Sequence, residues 1–279
     1  MGNGVVYCSI LLLLFVKLGP GLSSNIGVDD VLQLPGTEHR EDRKHHLHGQ
    51  MNSDPTSPGV KIFGFLKDIE VGNTRPFYFA HIQDPTSLEF FPEEQIRDIP
   101  FTSEALPQLL RFFSFSSDSP QAMTMKQTLE LCESEPPKEE VHHCATSLES
   151  LLDFAHRVFG SDRITILRSP LVSNSTPPVQ NYTVVESKEI WTGKMIPCHY
   201  QKYPYAVYTC HFDMVSRNKL FALSLRGDNG DTVNPVFICH LDTSMWDADH
   251  IAFRALGVKP GESEVCHIMP AQDLFLLPK

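Results

Sequence analysis

The chain has 279 residues, 41% of them hydrophobic and 20% charged, enough apolar material for one or two domains with a sizeable core. Its formal net charge of -11 gives a surface that repels phosphate, which argues against nucleic acid as a partner. No Gly-x-Ser-x-Gly elbow, His-Glu-x-x-His helix or phosphate loop occurs, so the common hydrolase, metalloprotease and nucleotide-binding signatures are excluded.

In chain order, the first element is an apolar run from Val5 to Val16, too short for a comfortable membrane span and followed by Gly21-Leu22-Ser23-Ser24. This pattern predicts a secretory signal over residues 1–24, cut near Ser23 to Asn25, with no membrane span left after cleavage. Residues 25–59 form a variable segment poor in aliphatics, which cannot offset its ordering entropy and is expected to be disordered. Its His39, His45, His46 and His48 read as a solvated linker. An ordered domain is expected over 60–278, opening with a strand-like run from Val60 to Leu66 and a second apolar burst, Pro76 to Phe79. Ser119 before Pro120 predicts a helix start, with the helix running toward Cys132.

Thr146 with Glu149 reads as a capping box for the next helix. Its apolar face comprises Leu148, Leu151, Leu152, Ala155, Val158 and Phe159, and Gly160 ends it. Beyond Arg163 the pattern turns to short β-branched and aromatic runs: Tyr182 to Trp191, Tyr205 to Phe212, Lys219 to Leu225 and Val233 to His240. The expected class is α+β, a β-rich antiparallel single domain with a few helices in its N-terminal half, stabilised by disulfides.

Secretion sets how the cysteines are read. Cys8 leaves with the signal, and Cys132, Cys144, Cys198, Cys210, Cys239 and Cys266 remain as disulfide candidates with 15 connectivities open. Cys132 and Cys144 could close a small loop, worth roughly 3 kcal/mol in the chain-entropy model. Asn174 and Asn181 head glycosylation sequons.

Four dipeptides stand out: Cys198-His199, Cys210-His211, Cys239-His240 and Cys266-His267. Neighbours on a strand point to opposite faces, so the cysteines can share one side and the histidines the other. Four converging imidazoles suit a borderline transition metal: Cu(II) in tetragonal geometry, Zn(II) in tetrahedral geometry. His199, His211, His240 and His267 are the candidate ligands, with Asp242 placed by strand parity to hold the second nitrogen of His240. The alternative is a set of disulfide corners whose histidines only pack. His81, His142, His143, His156 and His250 read as structural, and no catalytic residue is assigned.

The four pairs, joined by Cys144-Ala145-Thr146-Ser147-Leu148-Glu149-Ser150, Cys239-His240-Leu241-Asp242-Thr243-Ser244, Trp246, His250, Phe253, Gly257, Pro260 and Gly261, resemble the plant BURP-domain family. The likeness runs from about Val60 to Pro278, with two departures: Gly64 splits the usual double Phe, and Leu276 stands where a Trp is usual. The chain, with a short variable segment and no tandem repeat, is similar to compact seed- and embryo-type members. The resemblance implies a secreted protein of cell wall or storage vacuole, active in seed or reproductive development or stress response. Some members are copper-dependent peptide cyclases that join a Tyr or Trp side chain to another carbon. Carried over, the four histidines would hold copper, with zinc as the second choice. Residues 25–59 contain no Tyr or Trp, so a self-modified tail is not expected. Implied partners are cell-wall components or a peptide substrate, and an accessory subunit of a wall polysaccharide enzyme is a further alternative.

Overall fold

The computed structural model describes residues 62–82, 85–136, 140–172, 176–214 and 217–279. The signal segment, the 25–59 segment and Asn174 lie outside the described residues. The runs of β-branched and aromatic residues become twelve strands: β1 (Phe63–Gly64), β2 (Thr74–Tyr78), β3 (Glu140–Ala145), β4 (Ile164–Leu167), β5 (Val179–Thr192), β6 (Ile196–Gln201), β7 (Val207–Asp213), β8 (Asn218–Gly227), β9 (Thr232–Val233), β10 (Val236–His240), β11 (Val265–Ile268) and β12 (Leu274–Pro278). Among the described residues five α-helices accompany these strands: α1 (Glu93–Ile96), α2 (Leu106–Phe112), α3 (Pro120–Glu133), α4 (Leu148–Phe159) and α5 (Ile251–Leu256).

The strands form two antiparallel sheets. The larger has the order β1-β11-β10-β8-β5-β2, with β9 on β8, and the smaller has the order β3-β7-β6-β12-β4. Alternation gives each sheet two working faces. The inner faces meet through Leu220, Val236 and Ile238 of the large sheet and Phe275 and Leu277 of the small one. The outer face of the large sheet buries Phe77, Tyr182, Leu225 and Phe237, with Phe77 and Phe237 edge-to-face at 6.3 Å. The outer face of the small sheet is covered by α4 through Leu151, Phe154 and Ala155. Helices α1 to α3 make a separate cluster against Tyr203, Tyr205 and Val207.

Two local expectations shift. The opening strand is only two residues long, because Leu66–Ile69 turns into a 3-10 helix. Gly64 is required there: a Cβ would run into the Arg75 guanidinium and the Asp68 carboxylate. Those two groups pair at 2.8 Å while Arg75 Nη2 donates to the Phe63 carbonyl at 2.6 Å. The second shift is the N-cap of α4, which is Ser147 and not Thr146. Ser147 Oγ accepts from the Ser150 amide at 3.1 Å. The buried face also differs from the expected one: Leu148 and Leu152 are 43% and 36% exposed, while Phe154 joins Leu151 inside. At the other end Gly160 adopts φ 67°, a left-handed cap that glycine takes without a Cβ clash. The cap at Ser119 and the proline start of α3 stand as the sequence indicates.

The buried face of α4 makes a paired prediction. Leu151→Ala should cost about 2–5 kcal/mol by opening a cavity, whereas Leu148→Ala should change stability by about 0.5 kcal/mol or less. Chemical denaturation of the two variants checks it; equal losses would return Leu148 to the buried face.

Candidate functional site

The site is built twice, once in each sheet. In the small sheet Cys198 of β6 lies directly opposite Cys210 of β7, and in the large sheet Cys239 of β10 lies opposite Cys266 of β11. Both pairs are disulfide-bonded, with Cα atoms 3.9 and 4.0 Å apart. The third bridge joins Cys132 of α3 to Cys144 of β3. Together the three use all six candidate cysteines, resolving the connectivity that the sequence left open. Cys198 and Cys210 are buried among the α4 contacts, and Cys239 and Cys266 among the aromatic cluster of the large sheet. All four sulfurs therefore face outward from the inter-sheet space.

The next residue on each strand points the other way. His240 shares the parity of Val236 and Ile238, which meet the small sheet. His199 and His211 become diagonal neighbours across β6 and β7, with Nε2 atoms 3.3 Å apart. His240 and His267 repeat this across β10 and β11 at 3.4 Å. Both ring pairs have an interplanar angle of 21°, with centroids 5.4 and 5.5 Å apart. The two modules match within 0.1 Å although their cysteines are 12 and 27 residues apart in sequence. Among the described residues, no group of three or more His, Cys, Asp or Glu side chains stands in an arrangement that could hold a metal ion. The four imidazoles are gathered as two pairs.

The other ring nitrogens are anchored. His199 Nδ1 meets Asp273 Oδ2 at 3.0 Å, and the second oxygen of Asp273 accepts from the Tyr200 amide. His240 Nδ1 meets Asn218 Oδ1 at 2.9 Å, and His267 Nδ1 meets the Ile268 carbonyl at 3.0 Å. His211 Nδ1 lies 3.7 Å from Glu140 Oε1, beyond hydrogen-bonding range, and both atoms are buried without a hydrogen-bond partner. Where Nδ1 donates to such an acceptor, a neutral ring leaves Nε2 as a bare acceptor.

Asp242 does not take the anchoring place expected of it. Its exposed carboxylate accepts from the amide and hydroxyl of Ser244 at 3.0 and 2.6 Å, because β10 ends at His240 and the chain turns away. Asn218, opposite His240 in the β8–β10 register, holds the ring instead. Asn218, Asp273 and Glu140 are the functional candidates that the sequence did not reveal. Only cross-strand register brings the first to the site, and none belongs to a local motif.

Burial shapes the electrostatics. It pushes His211 down to about 3, helped by the charges of His199 and His142. It pushes His267 down to about 4 and His240 well below its ordinary value. The charges of His199 and His211 both act on His240, so the two pairs sense each other across the gap. His199 goes the other way: burial opposes its charge, but Asp273 and Glu140 outweigh it and hold the ring above its ordinary value. Burial, then Asp213, raises Glu140.

Other histidines divide by strand parity. His143 bonds Ser150 Oγ at 2.7 Å and stacks on Phe154, a packing role. His81 bonds the Thr176 carbonyl and His156 pairs with exposed Asp162. His142 lies opposite His211 on β7, so it shares the imidazole face. Trp246 is half-buried and packs edge-on to His240 at 4.8 Å, then against His250 at 4.7 Å. The second sequon residue, Asn181, is exposed on β5 and donates to Asp228 at 3.0 Å.

These features coincide with a match to the BURP domain family over residues 62–278. Protein RAFTIN 1B of Triticum aestivum is 38% identical over 211 residues, 75% of this chain and 57% of that protein. BURP domain protein RD22 of Arabidopsis thaliana is 38% identical over 224 residues, 79% of this chain and 56% of its own length. This chain thus spans little more than half the length of either. BURP domain-containing protein BNM2C of Brassica napus is 35% identical over 230 residues, covering 80% of this chain and 81% of that protein. With residues 62–278 matched and its Cys-His pairs set as two modules, one in each sheet, the chain belongs to the BURP domain family.

Proposed function

We propose that this BURP domain is a secreted, disulfide-stapled metal-binding domain in which His199, His211, His240 and His267 hold one copper ion. It would act in the cell wall or a storage vacuole of seed, reproductive or stressed tissue. One observation carries the metal reading. In the His240–His267 pair both Nδ1 atoms are committed to oxygen acceptors, so two bare Nε2 acceptors face each other at 3.4 Å. Facing lone pairs repel, and a cation between them relieves the repulsion. Two nitrogens each about 2.0–2.1 Å from one metal stand about 3.3–3.4 Å apart at the tetrahedral angle, the spacing both pairs show, and about 2.8–3.0 Å apart in a square plane, so a tetragonal Cu(II) asks the rings of each pair to close by about 0.4–0.5 Å. Sharing one ion asks the two pairs to approach each other further. An all-imidazole set takes Cu(II) ahead of Zn(II) by the general affinity order.

A copper-dependent peptide cyclase is the second reading, favoured by Trp246, an oxidisable indole against a candidate copper ligand. Bound copper would supply one-electron oxidising chemistry, while the chain's own part is to hold the indole in place. Each new bond would release two electrons and two protons, more than one Cu(II) takes up, so fragment mass spectrometry after Cu(II) and dioxygen are supplied to the metal-free protein should then find a product lighter by two hydrogens, bonded at Trp246 or within a supplied Tyr or Trp peptide. An unchanged mass map removes this reading and leaves metal binding intact.

Two predictions test the site. Equilibrium dialysis with metal analysis should give one copper per chain, and His211→Ala or His240→Ala, one from each sheet, should each weaken it at least about 100-fold; undiminished binding in the double variant would end the proposal. Asp273→Asn should weaken copper binding by about 10–100-fold through loss of the His199 anchor. The His199 titration should also move down once the carboxylate that holds it up is gone, read by NMR on the metal-free variant.

A further inference from the structure

A cleft of about 410 Å³ opens at the edge of the large sheet, among the residues following β2 and β4, strand β9 and the β11–β12 connection. That volume lies in the range of small-molecule sites. Its walls are apolar: Phe79, Leu171, Val233, Pro235, Met269 and Pro270 contribute. Leu171 is 45% exposed at its rim, a cost that a bound apolar group would remove. The floor is fixed, since the Val236 amide donates to Ser169 Oγ at 3.0 Å and the Met269 amide to the Val236 carbonyl at 2.8 Å.

One charged group lines the cleft and is held in place by hydrogen bonds. Among the described lining residues there is no Lys, Arg or His, and Asp231 is the single charged side chain. Its Oδ2 accepts from Thr176 Oγ1 and from Asn229 Nδ2, each at 2.8 Å. Thr176 is itself held, because its carbonyl bonds His81 Nε2 at 2.7 Å. The two bonds hold the Asp231 carboxyl below its ordinary range, so it stays ionised. Asp231 Oδ1 takes no hydrogen bond from any described residue. A preorganised carboxylate on an apolar cleft, in a chain of net charge -11, repels anions and selects for a cation.

We infer that this cleft binds a small amphipathic amine, its apolar body of roughly ten to twenty heavy atoms against the Phe79, Val233 and Met269 walls and its ammonium on Asp231. The inference does not depend on metal at the imidazoles. The test uses the secreted full chain and three matched probes: 4-phenylbutylamine, 4-phenylbutanol and 4-phenylbutyrate, followed by calorimetry and NMR. The amine should bind roughly tenfold tighter than the alcohol, as expected for a charge-assisted bond, and the carboxylate should bind weakest. Asp231→Asn should level amine and alcohol, and Ala271→Trp, which fills the cleft from a half-buried position, should abolish all three with the melting temperature kept. No binding of the amine, equal affinity for the three probes, binding that survives Ala271→Trp, or a dimer in which a second copy covers the cleft would each overturn the inference.

Discussion

The structure depends on one constraint: consecutive residues of a β-strand face opposite ways. Each Cys-His dipeptide converts it into a division of labour. Sulfur enters the outer core of its sheet, where thiol or disulfide is at home, and imidazole enters the space between sheets. The disulfide then does more than cross-link. By joining register partners it forbids a one-residue slip, which would turn every imidazole into the outer core and every sulfur into the gap. The histidines have a defined meeting point because the cysteines cannot exchange faces with them.

The two modules show how little sequence separation matters once register is fixed. Strands β6 and β7 are joined by a short hairpin, whereas α5 and a long turn separate β10 from β11. Yet the ring pairs share their tilt and nearly their spacing. No repeat is visible in the sequence because the likeness resides in backbone pairing and in two dipeptides per module, while the intervening segments serve different packing needs. The long insertion brings Trp246 against His240, and β1, paired to β11, brings Phe63 against His267, an aromatic wall for which the small-sheet pair has no counterpart of the same kind among the described residues.

Much of this was legible beforehand because it rests on local rules. The opposite-face argument needs only strand period, and the caps at Ser119 and Gly160 need only turn and cap chemistry. What could not be read depends on which strands become neighbours. Asn218 reaches His240 through the β8–β10 register, and Asp273 reaches His199 because the turn after Pro270 delivers it to β12 beside β6. Asp242 satisfied the parity rule but not its condition, since the strand stops at His240. The one-residue shift from Thr146 to Ser147 is a choice between adjacent hydroxyls. Tertiary packing decides it: Ser147 is 3% exposed, and Phe154 packs into the cluster on the small sheet. Leu276 occupies the usual Trp position fully buried in β12, a smaller side chain in a strand flanked on both sides by partners.

The two imidazole pairs are alike in shape and unlike in charge, and the difference follows from their anchors. His199 rests on a carboxylate, so that ring can carry a proton and donate it through Nε2 to His211 Nε2, satisfying the two facing nitrogens of the small-sheet pair while His211 Nδ1 stays without a hydrogen-bond partner. His240 rests on an amide oxygen and His267 on a peptide carbonyl, neutral groups that orient a ring without supporting a charge in a buried place. The large-sheet pair therefore stays neutral, with two acceptors in contact. A fold that only needed to pack these side chains would gain by replacing one of them with an apolar residue of similar volume, because an unsatisfied buried acceptor costs about 1–3 kcal/mol. That unmet demand is confined to His240 and His267, whose Nδ1 atoms are both tied back, and it is the feature on which the metal proposal rests.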